Sequence, residues 1–231
     1  MKRFIIILLA ILFLKYNSYV YSQPLDNILA NIQQAYENTI DFQADFQQIS
    51  FIKSIGEEQK ASGKVYMKKP GLMRWEYLNP EKQLIILDGK VLWIYSHENK
   101  QVIKNDLFNN FDSKAPYLFL LGLGKIEDEF NVKYINGGTS SKKDCLFLEL
   151  RPKEEQPGLE KLVLKINSKN FQVESSSIFD YYGNITSIDF YDIQINRNVP
   201  VSLFQYQVSE GIEVIEPPRI QTDIEERGKN K

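Results

Sequence analysis

The sequence predicts a mainly β fold in which ten or more antiparallel strands form an open or closed barrel, with an N-terminal helix and a helical insertion. Two observations support this. The spacing of apolar residues changes near residue 40 from three or four positions, typical of a helix, to two, typical of a strand. From there the apolar segments are short and are separated by turn dipeptides such as Pro-Gly, Asn-Pro and Asp-Gly.

The N-terminal residues resemble a secretory signal peptide. Lys2 and Arg3 precede an uninterrupted apolar run at residues 4–14, which is too short to span a bilayer comfortably. We expect cleavage after Ser22; the alternative is an uncleaved anchor. Removing residues 1–22 takes away three basic residues and no acid, so the formal charge changes from −2 to −5. Such a chain has no general attraction to nucleic acid or anionic lipid.

An amphipathic helix is predicted over residues 23–39. Pro24 suits the first turn of a helix, where a missing N–H costs nothing. One apolar stripe at three- and four-residue spacing comprises Leu25, Ile28, Leu29, Ile32, Ala35 and Tyr36.

Strands are predicted from Phe42 onward, where Phe42, Ala44 and Phe46 alternate with polar residues. Asp88-Gly89 is the strongest hairpin signal. The further predicted strands are residues 63–68, 72–77, 83–87, 91–95, 102–104, 130–135, 145–151, 159–167, 172–179, 185–195, 203–208 and 212–215.

Two segments depart from this β pattern. Residues 109–128, with the apolar core 115–124, predict one or two short helices weakened by Gly122 and Gly124. The charged residues 217–231 predict a disordered tail. Residues 23–216 are therefore predicted to form one domain.

The composition argues against catalysis. The chain has one histidine and one cysteine, so it offers no nucleophile with a base in motif context. It has no glycine-rich phosphate loop after a strand and no His/Cys/Asp set with metal-ligand spacing. We therefore expect no enzyme activity, no cofactor and no metal.

The predicted strands 83–87 and 91–95 are apolar on both faces. An antiparallel sheet normally exposes one face to water, so both faces must be covered here. The helical stripe and residues 118–123 can supply some of the cover. The sequence alone leaves two interpretations open, an ordinary core and a ligand cavity.

A resemblance to a known family rests on specific motifs. Residues 65–80 read VYMKKPGLMRWEYLNP, and residues 85–95 read IILDGKVLWIY. Further agreement comes from FQADFQ at 42–47, APYLFLL at 115–121, and the C-terminal residues 203–206 and 211–215. Over most of residues 25–216 the chain resembles the outer-membrane lipoprotein carrier protein family (LolA).

This resemblance implies a fold and a function. The fold is an unclosed antiparallel half-barrel of about ten or eleven strands, capped by the N-terminal helix and a short helical lid. Family members are periplasmic chaperones that take acylated lipoproteins from an inner-membrane ABC transporter and give them to an outer-membrane receptor. We expect a monomer. The implied lipid-binding residues are Met73, Trp75, Tyr77, Trp93, Phe42, Phe46, Leu118 and Leu121.

The resemblance also implies a contact between barrel and lid. The family often has Arg before the strand-ending Pro, whereas this chain has Lys69 there. Because Lys offers a point charge in place of the bidentate guanidinium, the closed lid is expected to be held more weakly, or with help from Arg74.

Two other functions remain open at this point. One is a periplasmic lipid- or stress-sensing module on a similar half-barrel, which would bind a membrane-protein partner. The other is a lipid-directed enzyme such as an esterase, against which the lack of a Ser–His motif argues.

Overall fold

The computed structural model describes residues 25–106, 126–135, 144–156 and 158–216. The predicted leader at residues 1–22, the apolar segment 115–124 and the tail 217–231 lie outside the described residues. The described chain contains a 12-stranded open sheet and two α-helices, α1 (Leu25–Glu37) and the single turn α2 (Ile126–Glu129).

The sheet runs in the order β12-β6-β5-β4-β3-β2-β1-β11-β10-β9-β8-β7. All the pairs are antiparallel except β12 with β6. The strands are β1 (Asp41–Ile52), β2 (Glu57–Lys68), β3 (Leu72–Asn79), β4 (Gln83–Asp88), β5 (Val91–Ser96), β6 (Gln101–Asp106), β7 (Phe130–Tyr134), β8 (Cys145–Pro152), β9 (Lys161–Asn167), β10 (Val173–Phe179), β11 (Ile185–Ile195) and β12 (Glu213–Ile215).

This architecture confirms the predicted unclosed half-barrel, because β12 and β7 are the two ends of one strand order and do not pair with each other. The strand count is twelve, one more than the upper expectation. The Asp88-Gly89 hairpin is present, but only Gly89 has a positive φ, of 93°. Asp88 stays in the strand and accepts hydrogen bonds from the backbone N–H groups of Lys90 and Val91, at 3.0 and 2.9 Å.

Helix α1 covers one part of the sheet. Three residues of its apolar stripe, Ile28, Leu29 and Ile32, are buried, and Leu25 is partly buried beside them. These residues pack against β7–β10 and α2 in a cluster that also includes Ile126, Phe130, Leu148, Leu150, Leu159, Leu162, Leu164 and Ile166. The predicted helix and its buried face are therefore confirmed over the described residues.

The chain after β11 follows the outer face of the sheet. Residues 203–208 are not the strand that their alternating apolar residues predicted. A short 3-10 helix, Val201–Phe204, buries Phe204 to 1% exposure, and the following residues extend without strand pairing. The Arg74 guanidinium donates to the carbonyl oxygen of Leu203 at 2.9 Å, which helps to hold this segment against β3. Among the described residues, no helix is long and apolar enough to cross a membrane.

Candidate functional site: an apolar cavity beneath helix α1

The register of the central strands fixes which side chains share the inner face. Residues paired directly across antiparallel strands point to the same side. Ala44 pairs with Val65, and Val65 pairs with Trp75. By the same rule Phe42, Met67 and Met73 form a second row on this face.

The aromatic residues of this face pack mainly edge to face. The ring of Phe46 lies 4.8 Å from that of Trp75 and 5.1 Å from that of Tyr77, centroid to centroid. Phe190 of β11 completes the group, with its centroid 5.9 Å from Phe42 and 6.2 Å from Trp75. Such pairs add to the stabilisation from buried area. Phe46 is buried, so it does not itself face a ligand but packs behind the exposed parts of Trp75 and Tyr77.

Gly63 explains how Phe46 can lie so close to the sheet. A Cβ atom at this position would overlap the carbonyl oxygen of Glu76 and lie 3.0 Å from the Phe46 ring. The Tyr77 hydroxyl is held in turn by a 3.0 Å hydrogen bond to the side-chain oxygen of Gln48. The position of the aromatic group is therefore fixed by the close approach of Phe46 to Gly63 and by the hydrogen bond from Tyr77 to Gln48.

A cavity lies between this face and the C-terminal end of α1. The second half of the α1 stripe lines it, whereas the first half fills the core. Its apolar lining comprises Ile32, Ala35, Tyr36, Ile40, Phe42, Met67, Leu72, Trp75, Leu164, Phe171, Val173, Ile178, Ile188, Phe190 and Ile195. The polar lining comprises Thr39, Asp41, Lys68, Lys69, Gln172 and Ser176.

The cavity has a volume of about 190 Å³. Pockets for drug-sized ligands typically measure about 300–1,000 Å³, so the cavity is small for a large apolar ligand. A long alkyl chain would have to displace part of the lining or extend onto the neighbouring inner face.

Lys69 anchors the end of α1 that covers the cavity. Its ammonium group donates to the carbonyl oxygen of Tyr36 at 2.5 Å and lies 3.9 Å from the centroid of the Tyr36 ring. This carbonyl belongs to the last turn of α1, where it also accepts a hydrogen bond from the Thr39 N–H at 3.1 Å and where the helix dipole favours a cation. Lys69 thus ties β2 to the helix that roofs the cavity.

The same contact leaves both groups partly desolvated. Burial lowers the pKa of the Lys69 ammonium, and the nearby Glu37 carboxylate opposes that effect. Burial raises the pKa of the Tyr36 hydroxyl to about 12 and also raises that of Tyr77. Both directions are those expected when a charged form loses water.

The structure separates the predicted site residues. Phe42 and Trp75 line the cavity, with Phe46 and Tyr77 packed behind them. Met73 shares their face by register but lies beside the cavity lining. Leu118 and Leu121 lie outside the described residues, so their part in a lipid site stays a prediction.

Trp93 and Arg74 lie on the opposite face. Arg74 pairs with Ile86, and Ile86 pairs with Trp93. The Trp93 ring lies 5.3 Å from that of Tyr206 in the C-terminal segment, centroid to centroid, and its indole N–H donates to the Asp88 carboxylate at 3.0 Å. Arg74 forms an ion pair with Glu76. Trp93 therefore does not line the cavity, and its ring packs against the C-terminal segment instead. The described contacts of Arg74 do not include the lid.

Sequence reasoning missed the contribution of the later strands. Phe171, Val173, Ile188 and Phe190 line the cavity from β10, β11 and the turn before β10. Their alternation was visible, but their proximity to Phe42 depends on the pairing of β1 with β11, which are about 140 residues apart. No local signal in the sequence specifies that pairing.

The described residues contain no group of three or more His, Cys, Asp or Glu side chains that could hold a metal ion.

An open antiparallel half-barrel with a roofed, mainly apolar cavity defines a class of proteins that can enclose apolar ligands.

Comparison with known proteins identifies the family within this class. Residues 37–207 match the family described as "Outer membrane lipoprotein carrier protein LolA". Because the match covers most of the chain, the chain belongs to this family.

Individual relatives agree. The chain is 32% identical over 176 residues to the outer-membrane lipoprotein carrier protein of Nitrosomonas europaea, covering 76% of this chain and 82% of that protein. It is 29% identical over 187 residues to the carrier of Nitrosospira multiformis, covering 81% and 87%. A crystal structure of an uncharacterized conserved protein from Thermus thermophilus has the same fold, with a TM-score of 0.55, 16% identity, and coverage of 84% and 100%.

Proposed function

We propose that this protein is a periplasmic chaperone that carries lipoproteins by enclosing their acyl chains in the cavity beneath α1. The observation that carries the proposal is the apolar lining between α1 and the inner face of the sheet, to which Phe42, Trp75 and Phe190 contribute. The two curated relatives described above are outer-membrane lipoprotein carrier proteins, which supports the choice of cargo.

The energetics favour such a role. Each methylene exposed to water costs about 0.8 kcal/mol, so a chain of about 16 carbons costs on the order of 13 kcal/mol to solvate. A few polar contacts cannot offset that amount. An apolar cavity can, because it removes the chain from water over most of its length.

Opening of the cavity is part of the proposal. The cavity of about 190 Å³ is too small for a long acyl chain, and Lys69 holds one end of its roof through Tyr36. Cargo would displace the α1 end, residues 116–123, or both, so the closed contacts compete with cargo and lower its net affinity. That competition lets a carrier release what it has bound. The role of residues 116–123 as a lid, with Lys69 and Arg74 as its contacts, is a proposal from the family resemblance.

The remaining parts of the proposal concern location and partners. Residues 1–22 would act as a cleaved leader, and the mature chain would work as a monomer in the periplasm. An inner-membrane ABC transporter would supply the lipoprotein and an outer-membrane receptor would accept it. Cofactors and nucleic acid play no part.

The decisive experiment isolates the mature protein from its native periplasm and identifies co-purifying proteins by mass spectrometry. We expect triacylated lipoproteins in stoichiometric complexes. A parallel assay mixes purified protein with a synthetic triacyl lipopeptide and follows the soluble complex by gel filtration, using the non-acylated peptide as control. If neither preparation holds acylated cargo, the proposed function is wrong.

A further inference from the structure

An apolar row lies on the outer face of the sheet, at the end remote from the cavity. Phe51 of β1 pairs with Ile185 of β11, and Ile185 pairs with Phe179 of β10. Phe51 stands at an odd spacing from Phe46, whose ring packs on the inner face, so strand alternation places this row on the opposite face. The three side chains are half-buried and belong to neither buried cluster of the described residues.

Two hairpin turns extend this apolar surface beyond the ends of the strands. The turn between β1 and β2 leaves Ile55 58% exposed, and the turn between β10 and β11 leaves Tyr181 57% and Tyr182 81% exposed. The turns touch each other, because the backbone N–H of Lys53 donates to the side-chain oxygen of Asn184 at 3.0 Å. They therefore form one protruding tip with three large exposed side chains.

The turn that carries the tyrosines has a well-fixed backbone. The Asp180 carboxylate accepts hydrogen bonds from the backbone N–H groups of Tyr182 and Asn184, both at 2.9 Å, and from the Asn184 amide at 2.7 Å. Gly183 provides the positive φ, 83°, that the turn requires. Little backbone freedom would be lost when these rings meet a binding surface.

The charges around the row are mixed in sign. Glu58 pairs with Phe51 at one end, and Lys161 pairs with Phe179 at the other, where its ammonium group lies 4.6 Å from the ring centroid. Lys53 adds a further cation in the tip. A lysine can lay its methylene stem on apolar surface and keep its charge in water. Apolar and aromatic contact is therefore the main attraction that this end offers.

We propose that this docking end, the row Phe51-Ile185-Phe179 together with Ile55, Tyr181 and Tyr182, binds reversibly to the surface of a phospholipid bilayer, with the tyrosine rings at the level of the headgroups. Exposed apolar patches on proteins mark sites of contact with other proteins or with membranes. Two features favour the bilayer. The tip protrudes and so fits a deformable surface, and tyrosine is enriched at membrane–water interfaces, where one part of the side chain is apolar and the other meets water.

Docking at this end would leave the cavity accessible. Phe42 lines the cavity near the start of β1, and the interval from Phe42 to Phe51 along the strand spans about 30 Å. The end of α1 that roofs the cavity would therefore stay clear of the bilayer. The inference goes beyond the proposed function and does not depend on the cargo.

The first test uses the full mature chain and vesicles of phosphatidylcholine and phosphatidylethanolamine, with no lipopeptide present. Flotation on a density gradient should recover the protein with the vesicles. In Y181S/Y182S the binding should fall about tenfold, because two exposed aromatic side chains no longer enter the apolar interface. The matched control Y134S/Y191S replaces two other exposed tyrosines, on β7 and on β11 away from the row, and should bind like the unaltered chain.

A second measurement locates the contact. The two tryptophans of the chain, Trp75 and Trp93, lie on β3 and β5, away from the docking end. Tyr182→Trp therefore adds a fluorescent reporter in the tip. Vesicles whose acyl chains carry bromine should quench the added emission and leave the emission of the unaltered chain almost unchanged.

The outcomes distinguish the bilayer from other occupants. Failure of the unaltered chain to float with vesicles would overturn the proposal, and that measurement requires no variant to fold. Equal flotation of Y181S/Y182S and the unaltered chain would place the contact elsewhere and would also overturn it. Self-association that disappears in Y181S/Y182S, without vesicle binding, would identify an interface between copies of the chain instead. Lipopeptide binding is measured separately, so each of these results leaves the proposed function standing.

Discussion

The two halves of the sheet are filled to different degrees. Among the described residues, eleven buried side chains form one cluster where α1 packs on β7–β10. On the inner face of β1–β3, the corresponding cluster has three buried residues, and its aromatic neighbours are only partly buried. Both halves carry similar apolar side chains, so the difference lies in what covers them.

Helix length explains the difference. Helix α1 has 13 residues and is about 20 Å long. Twelve strands at about 4.8 Å spacing extend about 53 Å along the curved sheet. Such a helix completes the core of one half and ends over the other, which leaves aromatic side chains available for a ligand. The filled half should therefore determine stability and the open half should determine binding.

The largest expected effect is a loss of stability caused by a substitution in the filled half. Leu148 of β8 is completely buried beneath α1. Leu148→Ala should reduce the free energy of unfolding by about 2–5 kcal/mol, the range for a buried Leu that leaves a cavity. Urea denaturation followed by circular dichroism measures this loss. Lipopeptide affinity, measured where the variant remains folded, should stay close to that of the unaltered chain. A loss of affinity as large as the loss of stability would contradict the division between the halves.

The next prediction tests whether the open half determines lipopeptide binding. Met73→Glu places a carboxylate on the face that alkyl chains would occupy, where an unpaired charge is costly. We expect lipopeptide binding or transfer to fall about tenfold, equivalent to about 1.4 kcal/mol, with little change in stability. Leu78→Glu is the matched control, because Leu78 lies on the same strand but is exposed and does not line the cavity. Unchanged transfer by Met73→Glu would remove Met73 from the site.

A smaller effect concerns the connection between the halves. Lys69→Leu removes the hydrogen bond to Tyr36 and the cation at the helix C-terminus, so unfolding should become easier by about 1 kcal/mol. The loaded variant should also release cargo less readily, because the closed roof competes less well. Lys64→Leu, which removes only the exposed pair with Asp45, is the control and should change stability by about 0–1 kcal/mol without affecting release. Faster release by Lys69→Leu would contradict the competition.

Local patterns were sufficient to predict the open antiparallel sheet and the buried stripe of α1, because alternation and turn residues reflect local packing. They could not assign Trp93, since β4 and β5 are apolar on both faces and only the position of the C-terminal segment distinguishes the faces. Residues 203–208 belong to this C-terminal segment and do not form the strand that the sequence predicted. Phe204 is buried, and Leu203 and Tyr206 are partly buried, by packing on the face of the sheet rather than by pairing within it. Phe190 was missed because the contact of β11 with β1 is remote in sequence.

The last prediction tests how deeply the end of α1 is buried. In the native state the pKa of Tyr36 is about 12, against about 10 in the unfolded chain. Between these values the unfolded state loses the proton first, so stability should fall as pH rises from about 10 to about 12. Lys69 acts in the opposite direction, because its lowered native pKa makes stability rise with pH until the unfolded lysine also loses its proton. Urea midpoints measured at several pH values should therefore fall less steeply in Tyr36→Phe than in the unaltered chain, with the remainder due to buried groups such as Tyr77. Identical pH dependence in the two proteins would mean that Tyr36 is solvated and that the roof of the cavity is open in solution.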